Sequence, residues 1–235
     1  MKKTVLKKFF ATILAVCLTL SAFGQAAAAA SSPSDIKGSW AEEILNNWVQ
    51  KGWLKGYSDG SVHPNQNVTR AEFFTLINNA LGLTAQTDIA FSDVKPDDWF
   101  YKQVAIAVKS GYIKGYKDGT VKPNANVSRQ EVAVIAAALL KLPGAPQAAD
   151  KFKDAASIGN WSKPAVGALT AIGVMKGHPD GTFMPTKSVT RAEAVVVIHN
   201  ALDKLNNKTF DKAGFTALKQ ALKLWKEMLL LRLRM

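Results

Sequence analysis

Three arginines carry the first chemical signal in this sequence. Arg70, Arg129 and Arg191 each follow a hydroxyl side chain (Thr69, Ser128, Thr190) and each precede a glutamate by two positions (Glu72, Glu131, Glu193). A hydroxyl and a carboxylate three residues apart form a capping box, which fixes the start of a helix. Losing such a hydroxyl costs roughly 1 kcal/mol. Capping does not account for the arginine, because the helix dipole disfavours a cation at the first helical position. Two readings stand. In one, the unused N–H groups of the helix start and the guanidinium fork converge on a carboxylate or phosphate. In the other, the arginine pins neighbouring segments together.

Other residues travel with the arginines. Lys55, Lys114 and Lys176 add a second cation, each directly before a glycine: Gly56, Gly115 and Gly177. Those glycines serve either a tight turn or the close approach of a ligand to backbone. Tyr57 and Tyr116 follow in two copies and suit either a sugar face or the core. Trp40, Trp99 and Trp161 open the segments; their size places them in the core, with a ligand platform as the second reading. Asp59-Gly60, Asp118-Gly119 and Asp180-Gly181 are turn dipeptides. A calcium loop needs several carboxylates, and each of these offers one, so no metal site is expected.

These landmarks must be positioned by a repeated element. The step is 59 residues from Arg70 to Arg129 and 62 from Arg129 to Arg191, and the other landmarks shift alike. Each copy reads as helix, loop, helix. Ala41, Ile44, Leu45, Trp48 and Val49 give the first helix its apolar stripe; Val104, Ala105 and Val108, then Val166, Leu169 and Ile172, match them. Pro64, Pro123 and Pro185 close the loops and are expected to keep their predecessors extended. The second helix begins at the arginine motif. One two-helix unit cannot bury its apolar face alone, so an all-α bundle with one shared core is predicted.

The chain ends differ from this middle. Residues 1–30 read as an export signal: Lys2, Lys3, Lys7 and Lys8, an apolar stretch to Phe23, then small residues at 26–30. Cys17 lies within that stretch behind Val16, which does not suit lipidation, and no other cysteine follows. No later segment has the length of a membrane span. Of the net charge of +12, the signal carries +4 and residues 204–235 carry +6, leaving +2 for the middle. That balance excludes the dense basic face of a nucleic-acid binder. The tail from Lys219 to Met235 reads as a basic, Leu-rich amphipathic helix. A plausible back-translation shifted by one nucleotide gives a turn and an alternating β pattern instead. The tail is therefore expected to be a frameshifted or artificial end, which sequencing the encoding DNA decides.

Taken together, F-S-D-V…W (Phe91 to Trp99), K-G-Y-x-D-G-x-V-x-P-N and T-R-A-E, three times in register, resemble the S-layer homology family over about Asp35 to Leu202. The resemblance implies repeats at 31–88, 89–147 and 148–203, arranged as a pseudo-threefold, three-pronged helical bundle with grooves between adjacent units. It implies non-covalent anchoring to a peptidoglycan-associated secondary cell-wall polysaccharide, typically through a terminal pyruvylated N-acetylmannosamine. The pyruvyl ketal is a carboxylate, the anion that the arginines suggest. Carried over, the contacts are Arg70, Arg129, Arg191, the three loop glycines, and Asp35, Asp93 and Asp154, with the lysines and tryptophans behind them. Copy one lacks the aromatic before Asp35, copy two has Ser128 and Gln130, and copy three has His178-Pro179 where Tyr is usual. Unequal grooves follow, with that of His178 the most doubtful.

The expected function is thus that of an exported anchor of the cell wall and S-layer, acting without chemistry or cofactor. Further surface-layer subunits would join through a C-terminal region beyond this chain. Replacing all three arginines by alanine is expected to abolish wall binding while the helices stay folded. Two alternatives differ in class. A wall enzyme would need a catalytic part outside this chain, since His63, His178 and His199 show no metal or nucleophile–base spacing. A self-assembly module would instead use the grooves for neighbouring protein.

Overall fold

The computed structural model describes residues 33–206. The expected export signal and the tail beyond residue 206 lie outside the described residues. Each repeat supplies two helices: α1 (Glu42–Gln50) and α2 (Arg70–Leu81), α3 (Tyr101–Lys109) and α4 (Arg129–Leu139), then α5 (Lys163–Ala171) and α6 (Arg191–Asn206). Short 3-10 turns occupy Ser34–Ile36, Pro146–Ala149 and Ala155–Ser157. Among the described residues there is no strand, and the all-α reading holds.

The apolar stripes do what their spacing predicts. Leu45 and Trp48 of α1, Val104 of α3, and Val166 and Leu169 of α5 are fully buried in one continuous core, with Phe73, Phe74 and Ile77 of α2. Side chains of this size each gain roughly 1.5–3 kcal/mol on leaving water. The first helix of one repeat packs on the second helix of the repeat before it: α3 on α2, α5 on α4, and α1 on α6. The first repeat therefore closes on the third.

Closure is completed by a ring of backbone hydrogen bonds. Val68 N–H donates to the Val189 carbonyl (2.9 Å), Val189 N–H to Val127 (3.0 Å), and Val127 N–H to Val68 (3.1 Å). All three valines are buried. Isolated antiparallel bridges flank the ring at Asn67 with Thr190, Thr69 with Asn126, and Ser128 with Ser188. Every repeat thus gives one bond and takes one, which is the pattern of a pseudo-threefold axis.

The loops depart from expectation at the residues before the prolines. His63, Lys122 and Met184 are not extended but left-handed, with φ of 47°, 51° and 55°. Carboxylates hold them there. Asp35 accepts from the N–H groups of Val62 and His63, Asp93 from Val121 and Lys122, and Asp154 from Phe183 and Met184, at 2.7–3.3 Å. Charge-assisted bonds of this kind are worth about 1.5–3 kcal/mol each, enough to hold a non-glycine residue in a conformation costing 1–3 kcal/mol. After each left-handed residue, the carbonyl of the proline that follows accepts from the helix start of the preceding repeat in the ring.

Gly167 on α5 has the closest approach to its Cβ space of the described glycines. A Cβ there would sit 1.9 Å from the carbonyl oxygen and 2.8 Å from the carbonyl carbon of Ala145, so backbone rather than a flexible side chain would have to move. Gly167→Ala is expected to lower stability by about 1–3 kcal/mol, read as a lower urea midpoint with an unchanged slope.

Candidate functional site

All three helix starts carry their predicted caps. The carboxylates of Glu72, Glu131 and Glu193 accept from the N–H groups of Thr69, Ser128 and Thr190 at 2.8–2.9 Å. The N–H groups one and two positions on, expected to be free for an anion, are not free. Arg70 and Ala71 donate to the Ala125 and Pro123 carbonyls, Arg129 and Gln130 to Lys187 and Pro185, and Arg191 and Ala192 to Gln66 and Pro64. Each helix start is closed by the loop of the neighbouring repeat. An anion site built on unused N–H groups is thereby corrected.

The guanidinium groups follow the same route. Arg70, Arg129 and Arg191 are only 6–7% exposed. Their Nε–H groups donate to the carbonyls of Val121, Phe183 and Val62, each at 2.8 Å and each in the next repeat. Arg70 pairs with Glu131 at 3.1 Å and Arg191 with Glu72 at 3.2 Å. Arg129 reaches Glu193 only at 3.9 Å but adds a bond to the Lys176 carbonyl at 2.9 Å. The arginines pin repeat to repeat, which was the second reading. Arg191 also lines the groove described below.

The tyrosines belong to these pins. Tyr57 donates to Glu72 at 3.0 Å and stacks under Arg191, whose guanidinium lies 4.9 Å from the ring centre. Tyr116 repeats this with Glu131 and with Arg70 at 4.9 Å. His178 holds the third position, and its buried Nε2 finds no partner among the described residues. Burial, with the charges of Arg129 and Lys187 beside it, pushes the His178 imidazole below its ordinary pKa. Without a phenol in that place, Glu193 shares its charge with Lys187 at 3.6 Å.

Glu131 illustrates the electrostatics. Burial pushes its carboxyl up, but hydrogen bonds from Tyr116 and Ser128 and the Arg70 charge outweigh it and leave the pKa below the ordinary value. The unfolded carboxyl therefore takes up its proton at a higher pH than the folded one. Its contribution is present above about pH 4.3 and is lost as pH falls through the lowered value. Urea midpoints measured from pH 7 to pH 3 are expected to drop on the acid side, and Glu131→Gln is expected to flatten that drop.

The loop glycines answer to sterics. A Cβ at Gly115 would lie 2.4 Å from the Phe91 ring and one at Gly177 would lie 2.5 Å from the Phe152 ring. At Gly56 it would meet only the loop's own backbone, 2.7 Å from the Ser61 carbonyl. Copy one has no aromatic at that place; Gly56 and Gly177 are both exposed and Gly115 is half-buried. The three aspartates are loop clamps, as described above, and do not line the groove.

The tryptophans overturn the expectation that they fill the core. Trp40, Trp99 and Trp161 are 66%, 61% and 59% exposed, because each stands just ahead of the first helix, outside its buried stripe. Lys55, Lys114 and Lys176 are also exposed and form no ion pair within the described residues.

Several of these residues meet around a groove of about 200 Å³. The first repeat gives it Lys55, Gly56 and Tyr57 from the loop, and Glu72, Thr75 and Asn79 from α2. Trp99 comes from the second repeat and Arg191 from the third. The groove thus combines an exposed indole, an unpaired ammonium, a buried cation neutralised by Glu72, and small polar groups. Sequence reading missed Thr75, which neither other copy has, and Asn79, which recurs only in the third copy as Asn200. Among the described residues no group of three or more His, Cys, Asp or Glu could hold a metal ion, and no helix is long and apolar enough to cross a membrane.

Comparison with known proteins places this geometry. The chain is 31% identical over 205 residues to the surface-layer 125 kDa protein of Lysinibacillus sphaericus, covering 85% of this chain and 17% of that protein. It is 33% identical over 159 residues to the cellulosome-anchoring protein of Acetivibrio thermocellus, covering 65% and 36%. With the exoglucanase XynX of Acetivibrio thermocellus it shares 33% identity over 180 residues, covering 74% and 16%. The chain therefore spans about a third or less of the length of these relatives. The S-layer homology domain model matches residues 34–74, 90–133 and 151–195. With three matches on three interlocked helix pairs, this chain belongs to the S-layer homology domain family.

Proposed function

We propose that the chain is a non-covalent cell-wall anchor. It binds a peptidoglycan-associated secondary polysaccharide through a terminal pyruvylated N-acetylmannosamine, and so retains an exported surface-layer protein at the wall. The observation that carries this reading is the groove to which all three repeats contribute, with Trp99 as a flat apolar platform and Lys55 as an exposed cation. An indole suits the apolar face of a sugar, and a free ammonium suits the ketal carboxylate. Arg191 supports the site from below, where two of its five N–H groups remain after bonds to Val62, Glu72 and Lys55. The relatives named for a surface layer and for anchoring support this use of the module. The exoglucanase relative is consistent with the same module retaining an enzyme, whose catalysis this reading does not transfer to the chain.

Co-sedimentation tests the proposal. The chain is expected to pellet with purified walls and to stay in the supernatant with walls stripped of the polysaccharide. Equal pelleting with stripped walls would overturn it. Concentration-dependent light scattering in the absence of polysaccharide would favour the self-assembly alternative instead.

A further inference from the structure

The residues that line this groove are not all repeated at the matching places of the other two copies. In the groove between the first repeat's loop and α2, Thr75 and Asn79 line the wall. At the same places α4 carries Val134 and Ala138, and α6 carries Val196 and Asn200. Thr75 donates its hydroxyl proton to the Ala71 carbonyl (2.9 Å), which leaves its oxygen free to accept. Asn79 spends one amide N–H on the Trp53 carbonyl (3.3 Å), and its Oδ1 accepts no bond from the described residues. A valine and an alanine offer neither acceptor.

The floor differs as well. The Cβ space of Gly115 and Gly177 is filled by Phe91 and Phe152, whereas Gly56 lacks an aromatic cover and lines the groove. The absent aromatic before Asp35 leaves the Cβ space of Gly56 without a ring beside it. In the third copy, His178 leaves Glu193 without a phenol donor, and Lys187 leans on that carboxylate at 3.6 Å.

Resting on the anchoring reading, we infer that the groove of Tyr57, Thr75, Asn79 and Trp99 is the chain's principal saccharide site. Thr75, which neither other copy has, and Asn79, which the third copy keeps as Asn200, set its selectivity by accepting hydrogen bonds from sugar hydroxyl or acetamido N–H groups. The ketal carboxylate lies towards Lys55. The corresponding places of the other two copies, with Val134 and Ala138 in the second and Val196 and Asn200 in the third, bind the same terminal sugar more weakly, and the third, which keeps the amide, less weakly than the second.

Calorimetric titration of the full chain with the methyl glycoside of pyruvylated N-acetylmannosamine tests this, because a monovalent ligand counts sites. One high-affinity site per chain is expected. Thr75→Val with Asn79→Ala, which gives this groove the wall of the second one, is expected to weaken binding at least tenfold. Thr75→Ser, which keeps the acceptor, is expected to stay within about twofold, and thermal melts check that each variant is folded. If the double variant melts early, Asn79→Ala alone carries the test with the same expected direction. Three equal sites, or an unchanged affinity in the folded variant, would overturn this inference while leaving anchoring intact. No heat from the unaltered chain would sink the anchoring reading itself, and this inference with it.

Discussion

Arg191→Ala is expected to cost about 3–5 kcal/mol of folding stability, the range for removing one partner of a buried ion pair. Its guanidinium is 6% exposed and holds three acceptors of the first repeat: the carbonyls of Val62 and Lys55 and the carboxylate of Glu72. Alanine leaves the two carbonyls without this donor and Glu72 without its counter-charge, with only the bonds from Tyr57 and Thr69 remaining, in a place water reaches poorly. A surface ion pair would be worth only about 0–1 kcal/mol. The bonds also join residues 129 and 136 positions apart, closing the third repeat on the first. Domains of ordinary stability have about 5–15 kcal/mol to lose. Replacing Arg70, Arg129 and Arg191 together is therefore expected to unfold the chain, in place of the folded, non-binding protein that the sequence led us to expect. Urea unfolding checks this directly: a single variant within about 0.5 kcal/mol of the unaltered chain would mean that the pins are ornamental.

Trp99→Ala should have the opposite signature, a loss of binding with little change in stability. The indole is 61% exposed and forms one wall of the groove. Aromatic anchors of binding sites lose about 2 kcal/mol or more on truncation, which is a 10–100-fold loss of affinity. Retention of the melting temperature with a weakened wall interaction is the expected pair of results. Binding unchanged within twofold would remove Trp99 from the site. Trp40→Ala and Trp161→Ala, at the matching places ahead of the first helices of the first and third repeats, are expected to show smaller losses.

Much of the fold was legible because it rests on periodicity. The stripe through Leu45 and Trp48 and the capping boxes at Thr69, Ser128 and Thr190 are local signals, and each one appears where its spacing put it. What the sequence could not reveal is long-range. Arg70 was correctly singled out as unexplained by its own helix, yet its acceptors, Val121 and Glu131, lie 51 and 61 residues away. The same holds for the helix-start N–H groups, whose partners come from a neighbouring loop. The left-handed His63, Lys122 and Met184 ran against the usual effect of a following proline, because carboxylates 27–30 residues upstream impose the turn. Trp40, Trp99 and Trp161 misled by their size, since the position just before a helix lies outside its apolar stripe. Thr75 left no repeated signal and Asn79 recurs only as Asn200 in the third copy, so the groove is what brings them to notice.

The central claim is that the groove reads the carboxylate of a pyruvylated sugar. Calorimetric titration of the chain with the wall polysaccharide, before and after removal of the pyruvyl ketal, tests it most directly. Binding heat is expected with the ketal present and is expected to vanish when the ketal is removed, since Lys55 then has no anion to neutralise. Equal heat from both forms would contradict it, and would assign recognition to the sugar hydroxyls alone.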